Sequence, residues 1–188
     1  MVKRTNAPTH PDGPRMKGVI TEGIAGCGKT ALISSLKAEL KRYGGFDVKE
    51  LTHVDCDDQY ARYLREYAIQ ERLLFHRSHI SEHVLGKLLR SQSPFSGDEF
   101  FILNKIISLR FVCVLVEPPD YETYLKRKAQ DTRHVREQFN ENQYTEIVTS
   151  FRKSFEDIPH IHYISSTLNE LEATRATIIS KLIAAEHA

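Results

Sequence analysis

The apolar positions of the chain alternate between short continuous runs and helical spacing. The run Gly18–Glu22 predicts a strand, and the apolar residues within Lys29–Tyr43 recur at the spacing of one helix face. The pair Gly44–Gly45 follows and is expected to end that helix. The segment Phe111–Val116 is apolar throughout, which is typical of a strand buried on both faces of a parallel sheet.

The rest of the chain continues this alternation. Further strands are predicted at 46–54, 72–75 and 160–164. Helices are predicted at 58–69, from about 81 to 90, from a Ser96–Glu99 capping box to 109, at 121–130, at 143–155, and after a Thr167–Glu170 cap. Strands separated by helices predict an α/β fold in three layers, with a five-stranded parallel sheet flanked by helices.

The first 17 residues lack this apolar pattern, because prolines, glycines and polar residues take its place. We expect a flexible tail at 1–17 and a single domain at 18–188. The basic residues of the tail would suit a contact with nucleic acid, but a solvated tail is the preferred interpretation.

Composition narrows the class of protein. The 188 residues carry 26 Lys and Arg against 25 Asp and Glu, so the net charge of +1 gives no overall field that marks a nucleic-acid or membrane binder. The three cysteines are widely spaced, which favours reduced thiols. No apolar run reaches the ~18 residues of a membrane span. We therefore expect a cytoplasmic protein without a membrane partner.

The segment Gly23–Thr30 matches the phosphate-binding pattern G-x-x-x-x-G-K-[ST] between a predicted strand and a predicted helix. Backbone N–H groups of such a loop surround phosphate, the lysine neutralises the β- and γ-phosphates, and the hydroxyl of Thr30 ligates Mg²⁺. The predicted cofactors are thus ATP and Mg²⁺. The predicted cofactor-binding residues are Gly23, Ala25, Gly26, Cys27, Gly28, Lys29 and Thr30.

Three segments together carry a family resemblance. EGIAGCGKT at 22–30, FHRSHISEHVLG at 75–86 and FVCVLVEPP at 111–119 resemble the thymidylate kinase and deoxynucleoside kinase group, especially its small phage members. The resemblance extends from residue 18 to the last helix. It implies a P-loop kinase fold with a lid at about 131–142, and the host cytoplasm if the chain is phage-encoded. The oligomeric state stays open, with a homodimer among the alternatives.

The resemblance also implies roles for arginines. Arg77 matches the arginine that such kinases direct at phosphate, and a guanidinium at a strand end suits that role. Arg127, Lys128, Arg133 and Arg136 fall in the lid region, where arginines stabilise the transferring phosphoryl group. Arg133 and Arg136 are the preferred catalytic pair because they lie outside the helical pattern.

Other residues near these motifs have two interpretations. Ser81 and Glu82 are assigned as helix caps in preference to site residues. The run Ser165–Thr167 occupies the adenine-side loop of the family or caps the last helix.

The chain departs from the family at two positions. Ala25 stands where thymidylate kinases usually have a carboxylate, which the family implies holds the acceptor 3′-hydroxyl. His76 stands where an acid normally helps to order Mg²⁺. Asp55 is the preferred replacement as a metal ligand, and the resemblance to deoxynucleoside kinases implies a carboxylate here as the general base for an alcohol acceptor. Which of Asp55, Asp57 and Asp58 is the base stays open, and Asp57 or Asp58 would otherwise cap the following helix.

Two side-chain clusters leave alternatives open. Tyr60, Tyr63 and Tyr67 would either stack on a base near the acceptor pocket or pack in the core. The histidines at 76, 79 and 83, with Glu82, raise the question of a metal site, although no further ligands complete a zinc pattern.

Three functions are compatible with this sequence. The first is transfer of the γ-phosphoryl group of ATP to a pyrimidine deoxynucleotide or deoxynucleoside. The second is phosphorylation of the hydroxymethyl group of 5-hydroxymethyluracil in DNA, with DNA as the acceptor. The third is a P-loop NTPase without kinase activity, which the arginine-rich segment and the lack of switch-GTPase motifs disfavour.

Overall fold

The computed structural model describes residues 16–51, 56–69, 72–130 and 139–186. Its strands are β1 (Gly18–Glu22), β2 (Asp47–Glu50), β3 (Leu73–His76), β4 (Phe111–Glu117) and β5 (His160–Ile164). Its helices are α1 (Lys29–Leu40, continued by a 3-10 turn at Lys41–Tyr43), α2 (Gln59–Ile69), α3 (His79–Arg90), α4 (Gly97–Arg110), α5 (Tyr121–Gln130), α6 (Glu141–Ser154) and α7 (Leu168–Glu186).

The five strands form one parallel sheet in the order β2-β3-β1-β4-β5. Every residue of β1 and β4 is buried, so the apolar run at 111–116 is a central strand covered on both faces. The predicted five-stranded parallel sheet is thereby confirmed. The chain order reverses on the two sides of β1, and ligands of such sheets bind where this reversal opens a crevice at the carboxyl ends of the strands.

The helix starts follow local hydrogen bonding. The predicted caps are present at α4, where Ser96 and Glu99 form a capping box, and at α7, where Thr167 and Glu170 bond each other's backbone N–H groups. Helix α6 begins at Glu141, two residues before its predicted start, because Asn140 and Gln143 form another capping box.

Helix α3 also begins earlier than predicted. Ser78 is its N-cap, and the Ser78 hydroxyl accepts from the backbone N–H of Ile80. Ser81 and Glu82 are therefore not caps: they lie buried in the first turn of the helix. Their assignment as caps was wrong because α3 begins at His79, two residues before its predicted start, so that Ser78 takes the cap position.

The fold begins before the predicted domain start at residue 18. The Lys17 carbonyl accepts hydrogen bonds from the backbone N–H groups of Arg72 (2.6 Å) and Leu73 (3.2 Å). The Lys17 N–H donates to the backbone carbonyl of Arg110 at 2.6 Å. The side chain of Met16 packs against the core. These two residues thus belong to the folded body.

Two of the three tyrosines on α2 belong to the core. Tyr63 and Tyr67 are fully buried, and their rings contact each other and His79. The Tyr67 hydroxyl lies 2.9 Å from Nδ1 of His79, whose Nε2 lies 2.8 Å from Oδ1 of Asn104. These two tyrosines are not available to stack on a ligand, because packing has enclosed both rings.

The histidines of α3 are occupied by other contacts. His79 is enclosed by the α2 tyrosines, while His83 stacks on Phe100 at 3.8 Å and bonds Ser93. Within the described ranges, no group of three or more His, Cys, Asp or Glu side chains is arranged to hold a metal ion. Over the same ranges, no helix combines the length and apolar character that crossing a membrane requires.

The enclosure of His79 predicts a pH-dependent stability. Burial lowers its pKa to about 3, opposed by the hydrogen bond to Asn104, whereas an unfolded histidine titrates near 6.5. The unfolded chain therefore binds a proton first as the pH falls. The contribution of His79 is complete above about pH 6.5 and is lost as the pH falls toward 3.

We expect the free energy of unfolding, measured by urea denaturation, to decrease between pH 6.5 and 5. His79 should contribute a slope of up to about 1.4 kcal/mol per pH unit. His79→Gln should remove that contribution, whereas the same change at the exposed His160 should retain it. Identical slopes for both variants would contradict the assignment to His79.

Candidate active site

A cleft of about 1010 Å³ opens at the carboxyl ends of the strands. One wing is formed by the ends of β2 and β3, the other by α5 and the connection from β5 to α7, and the loop between β1 and α1 lies between them. Residues that line both wings include Glu50, His76, Arg77, Arg127, Ser165 and Leu168. The cleft thus occupies the position where the strand order reverses.

The loop between β1 and α1 has the shape of an anion cradle. Gly23, Gly26 and Gly28 adopt positive φ angles of 137°, 81° and 104°. A Cβ atom on Gly23 would lie 2.0 Å from the carbonyl oxygen of Val116, so only glycine fits there. Gly28 caps α1 in a left-handed conformation. The amino end of a helix, preceded by glycines, suits a bound phosphate.

Two side chains at the start of α1 fit Mg²⁺ and a triphosphate. Lys29 is buried, and its Nζ donates to the carbonyls of Gly23 (2.7 Å) and Ile24 (2.9 Å), with Sγ of Cys27 at 3.4 Å. Thr30 follows on the first turn, where it is exposed and lines the cleft. Mg²⁺ in nucleotide sites is usually bound by a few protein oxygens together with phosphate oxygens, and the Thr30 hydroxyl is placed to be one of those protein oxygens.

Glu22, the last residue of β1, is a buried carboxylate that the sequence pattern did not single out. Its Oε1 accepts from the N–H (2.6 Å) and hydroxyl (2.5 Å) of Ser78 and from the N–H of Ser81 (3.2 Å), and its Oε2 accepts from the Ser81 hydroxyl (2.5 Å). Burial raises the pKa of Glu22, against these hydrogen bonds and the charge of Lys29. The signal for it was an acid in a buried strand beside the glycine loop.

Arg77 follows β3 directly and lines the cleft. Its backbone has a φ of +78°, and its N–H donates to the carbonyl of Thr21 at 3.0 Å. Its Nε is buried without a hydrogen-bond partner among the described residues. A non-glycine residue in the left-handed region is held there by its surroundings, in this case by the anchored Ser78 that follows it.

Arg127 connects three parts of the cleft. Its Nη1 donates to the hydroxyl of Ser165 (2.7 Å) and the carbonyl of Cys27 (3.3 Å), and its Nη2 donates to the Ser165 carbonyl. The Ser165 hydroxyl in turn contacts the Cys27 carbonyl. Lys128 is buried beside Gly26. Both basic residues belong to α5 and contact the glycine loop.

His76 and Glu50 meet at the wing of the cleft that is formed by the ends of β2 and β3. They are register partners on β3 and β2, and Nδ1 of His76 lies 3.1 Å from Oε1 of Glu50. Burial and the charge of Lys29 lower the pKa of His76 to about 4, although the Glu50 carboxylate acts in the opposite direction. The imidazole is thus neutral near pH 7. From sequence, His76 stood out as a missing acid and as one of three histidines considered for a metal site, and Glu50 was not identified.

Several predicted site residues lie outside the described residues: Asp55, Arg133 and Arg136, and positions 131–138 of the predicted lid. Their roles stay predictions. Among the remaining ones, the structure brings Ala25, Gly26, Gly28, Lys29, Thr30 and Arg77 to one cleft. Gly23 and Cys27 belong to the same loop but do not line the cleft.

The hydrogen bonds to Glu22 predict a measurable effect on stability. Glu22→Gln places an amide NH₂ where one oxygen now accepts a hydrogen bond. The free energy of unfolding at pH 7 should therefore fall by about 1–3 kcal/mol. Ser81→Ala, which removes one hydroxyl donor, should have a smaller effect. Urea denaturation of both variants tests this expectation, and an unchanged midpoint for Glu22→Gln would contradict it.

Comparison with known proteins shows similarity in structure but not in sequence. No protein-family model and no curated protein matches the sequence. The chain is similar to the YorR protein of Bacillus subtilis, solved in complex with phosphorylated GDP, with a TM-score of 0.71 and 13% identity over 91% of this chain and 98% of that one.

Two further structures show the same architecture. Deoxyadenosine kinase from M. mycoides with bound dCTP gives a TM-score of 0.54 and 15% identity over 88% of this chain and 100% of that one. Shikimate kinase from Acinetobacter baumannii in complex with shikimate gives a TM-score of 0.53 and 13% identity over 91% of this chain and 95% of that one. The chain therefore has the three-layer α/β fold of the P-loop kinases.

Proposed function

We propose that the protein is a kinase that transfers the γ-phosphoryl group of ATP to a nucleoside or nucleotide, with a pyrimidine deoxynucleotide or deoxynucleoside as the preferred acceptor. The observation that carries the proposal is the convergence of a glycine-loop lysine, Lys29, and a strand-end arginine, Arg77, on one cleft. A phosphoryl group held between them would have cationic donors on two sides, as its transfer requires.

Each wing of the cleft has a role in this proposal. The amino end of α1 and Lys29 hold the β- and γ-phosphates, and Thr30 holds Mg²⁺, which neutralises charge on the phosphates when it is bound. The wing with Arg127, Ser165 and Leu168 receives the donor nucleoside. The opposite wing, with Glu50, His76 and Arg77, receives the acceptor.

The proteins of similar fold support a nucleotide-related acceptor. Two of the three were solved with nucleotides, dCTP and phosphorylated GDP, and the third with shikimate. Because one fold accommodates such different compounds, the acceptor depends on the residues of the cleft rather than on the fold.

A second candidate acceptor is a hydroxymethylated base in DNA. Ala25 favours it, because this residue lines the cleft and brings no carboxylate that could hold a free 3′-hydroxyl. An assay with labelled γ-phosphate across deoxynucleoside monophosphates, deoxynucleosides and DNA containing 5-hydroxymethyluracil tests both candidates. Hydrolysis of ATP without transfer to any acceptor would instead support an NTPase.

Lys29→Ala should abolish phosphoryl transfer and leave the fold intact, because the ammonium contacts the glycine loop and contributes little to the apolar core. Transfer from labelled ATP and the circular dichroism spectrum measure the two effects. Lys41→Ala, on an exposed turn after the same helix, is the matched control. Near-normal turnover of Lys29→Ala would contradict the kinase proposal.

Arg77→Ala should reduce turnover far more than ATP affinity. Arginines directed at a transferring phosphoryl group contribute about 10³–10⁵-fold to the rate. Measurement of kcat beside the Kd of an ATP analogue separates the two effects. Arg77→Lys should recover only part of the rate, because an ammonium lacks the planar fork of a guanidinium. An equal loss of affinity and turnover would make Arg77 a ground-state contact instead.

A further inference from the structure

We propose that His76, oriented by Glu50, is the general base of the reaction, and that the accepting group is therefore an alcohol and not a phosphate. The inference rests on the proposed kinase function and specifies its acceptor class. His76 is the catalytic residue in this proposal because it would contact the acceptor hydroxyl. Glu50 is a positioning residue that acts through the imidazole.

The geometry of the two side chains carries the proposal. His76 is the last residue of β3, with Thr21 of β1 as its register partner on one side and Glu50 of β2 on the other. The chain of β1 continues from Thr21 through Glu22 into the glycine loop. The imidazole is thus one strand away from the segment that surrounds phosphate, and it lines the same cleft as Lys29 and Arg77.

The contact with Glu50 determines which ring nitrogen can accept a proton. A carboxylate 3.1 Å from Nδ1 accepts the Nδ1–H, so a neutral imidazole keeps its lone pair on Nε2. Among the residues that the structure describes, Nε2 of His76 has no hydrogen-bond partner. In many active sites, a carboxylate bonds to one ring nitrogen of a histidine and orients it, while the other nitrogen acts as the base. Glu50 at Nδ1 and the lone pair on Nε2 match that arrangement.

The charges around His76 explain why a histidine can serve here. Lys29 of α1 and Arg77 of the β3–α3 turn face it and disfavour its protonation, while Glu50 favours it. Burial also keeps the pKa low, so the imidazole is unprotonated near pH 7, although the lowered pKa makes it a weaker base than a solvated histidine. As the proton arrives, the Glu50 carboxylate stabilises the imidazolium that forms.

The reaction balances without another reactant. A lone pair of the acceptor hydroxyl oxygen forms a bond to the γ-phosphorus, and the bond from that phosphorus to the β–γ bridging oxygen breaks. The electron pair of that bond leaves with ADP. The hydroxyl proton moves to Nε2 of His76 and is then released to solvent. A phosphate acceptor is already anionic and needs no such base.

The first experiment defines the acceptor class with the wild-type protein. Labelled ATP is offered together with Mg²⁺ to deoxynucleosides, to DNA containing 5-hydroxymethyluracil, and to deoxynucleoside monophosphates. We expect the label on a hydroxyl oxygen, as a monophosphate ester. Transfer only to the phosphate of a monophosphate would overturn this inference and leave the kinase proposal intact. Transfer to no acceptor would overturn both.

The second experiment removes the base but keeps a hydrogen-bond donor for Glu50. His76→Asn retains an N–H for Glu50, so the pair should stay folded while the base is lost. We expect kcat to fall by about 10²-fold or more, with an unchanged Kd for an ATP analogue. His160→Asn, at the opposite end of the sheet, is the control with the same chemical change.

The pH dependence of the rate distinguishes a base from a structural contact. The wild-type rate should fall on the acid side as His76 becomes protonated. His76→Asn should lose that acid limb. Glu50→Gln should shift it to lower pH, because the charge that raises the pKa of His76 is removed. Added imidazole should increase the rate of His76→Ala by about 10-fold or more, since a small base can enter the space left by the ring.

A spectroscopic measurement needs no substrate. The ¹⁵N shifts of the His76 ring should show the tautomer protonated at Nδ1 near pH 7, and Glu50→Ala should increase the share of the other tautomer. A ring protonated at Nε2 would overturn the proposal. It would also be overturned if His76→Asn kept its acid limb and full turnover while Asp55→Asn lost both, because Asp55 would then be the base.

Discussion

The carboxylate of Glu22 holds together the two parts of the protein that the site requires. It ends the central strand β1, beside the first glycine of the phosphate loop, and accepts four hydrogen bonds from Ser78 and Ser81 at the start of α3. A buried charge is costly unless hydrogen bonds satisfy it, so this arrangement tolerates little displacement. It fixes α3, and with it Arg77, relative to the loop.

Much of the fold could be predicted from local pattern. The bounds of β1, β5 and α5 were predicted without error, because glycines, capping residues and continuous apolar runs act over a few residues. The start of α3 could not be predicted in this way. Ser78 and Ser81 are both plausible caps in sequence, and the choice between them depends on Glu22, 56 and 59 positions away. The core tyrosines of α2 were ambiguous for the same reason.

The candidate site also has a part that could be predicted from sequence and a part that could not. The glycine loop is contiguous in sequence, so its residues and their order were readable directly. The pair of Glu50 and His76 depends on the register of β2 against β3 and becomes visible only when the strands are placed side by side. The interaction of Arg127 with Ser165 likewise joins residues 38 positions apart. Pairings across strands and between helix and loop are therefore what the structure adds.

The contact of Lys29 with two backbone carbonyls bears on how the loop distinguishes anions by valence. An entering group must replace two peptide dipoles around the ammonium, so a neutral or weakly charged group gains little from the exchange. A polyanion gains the difference between charge–charge and charge–dipole attraction, and that difference grows with its charge. Between two ligands of the same shape, this exchange at the ammonium therefore favours the one with the higher negative charge.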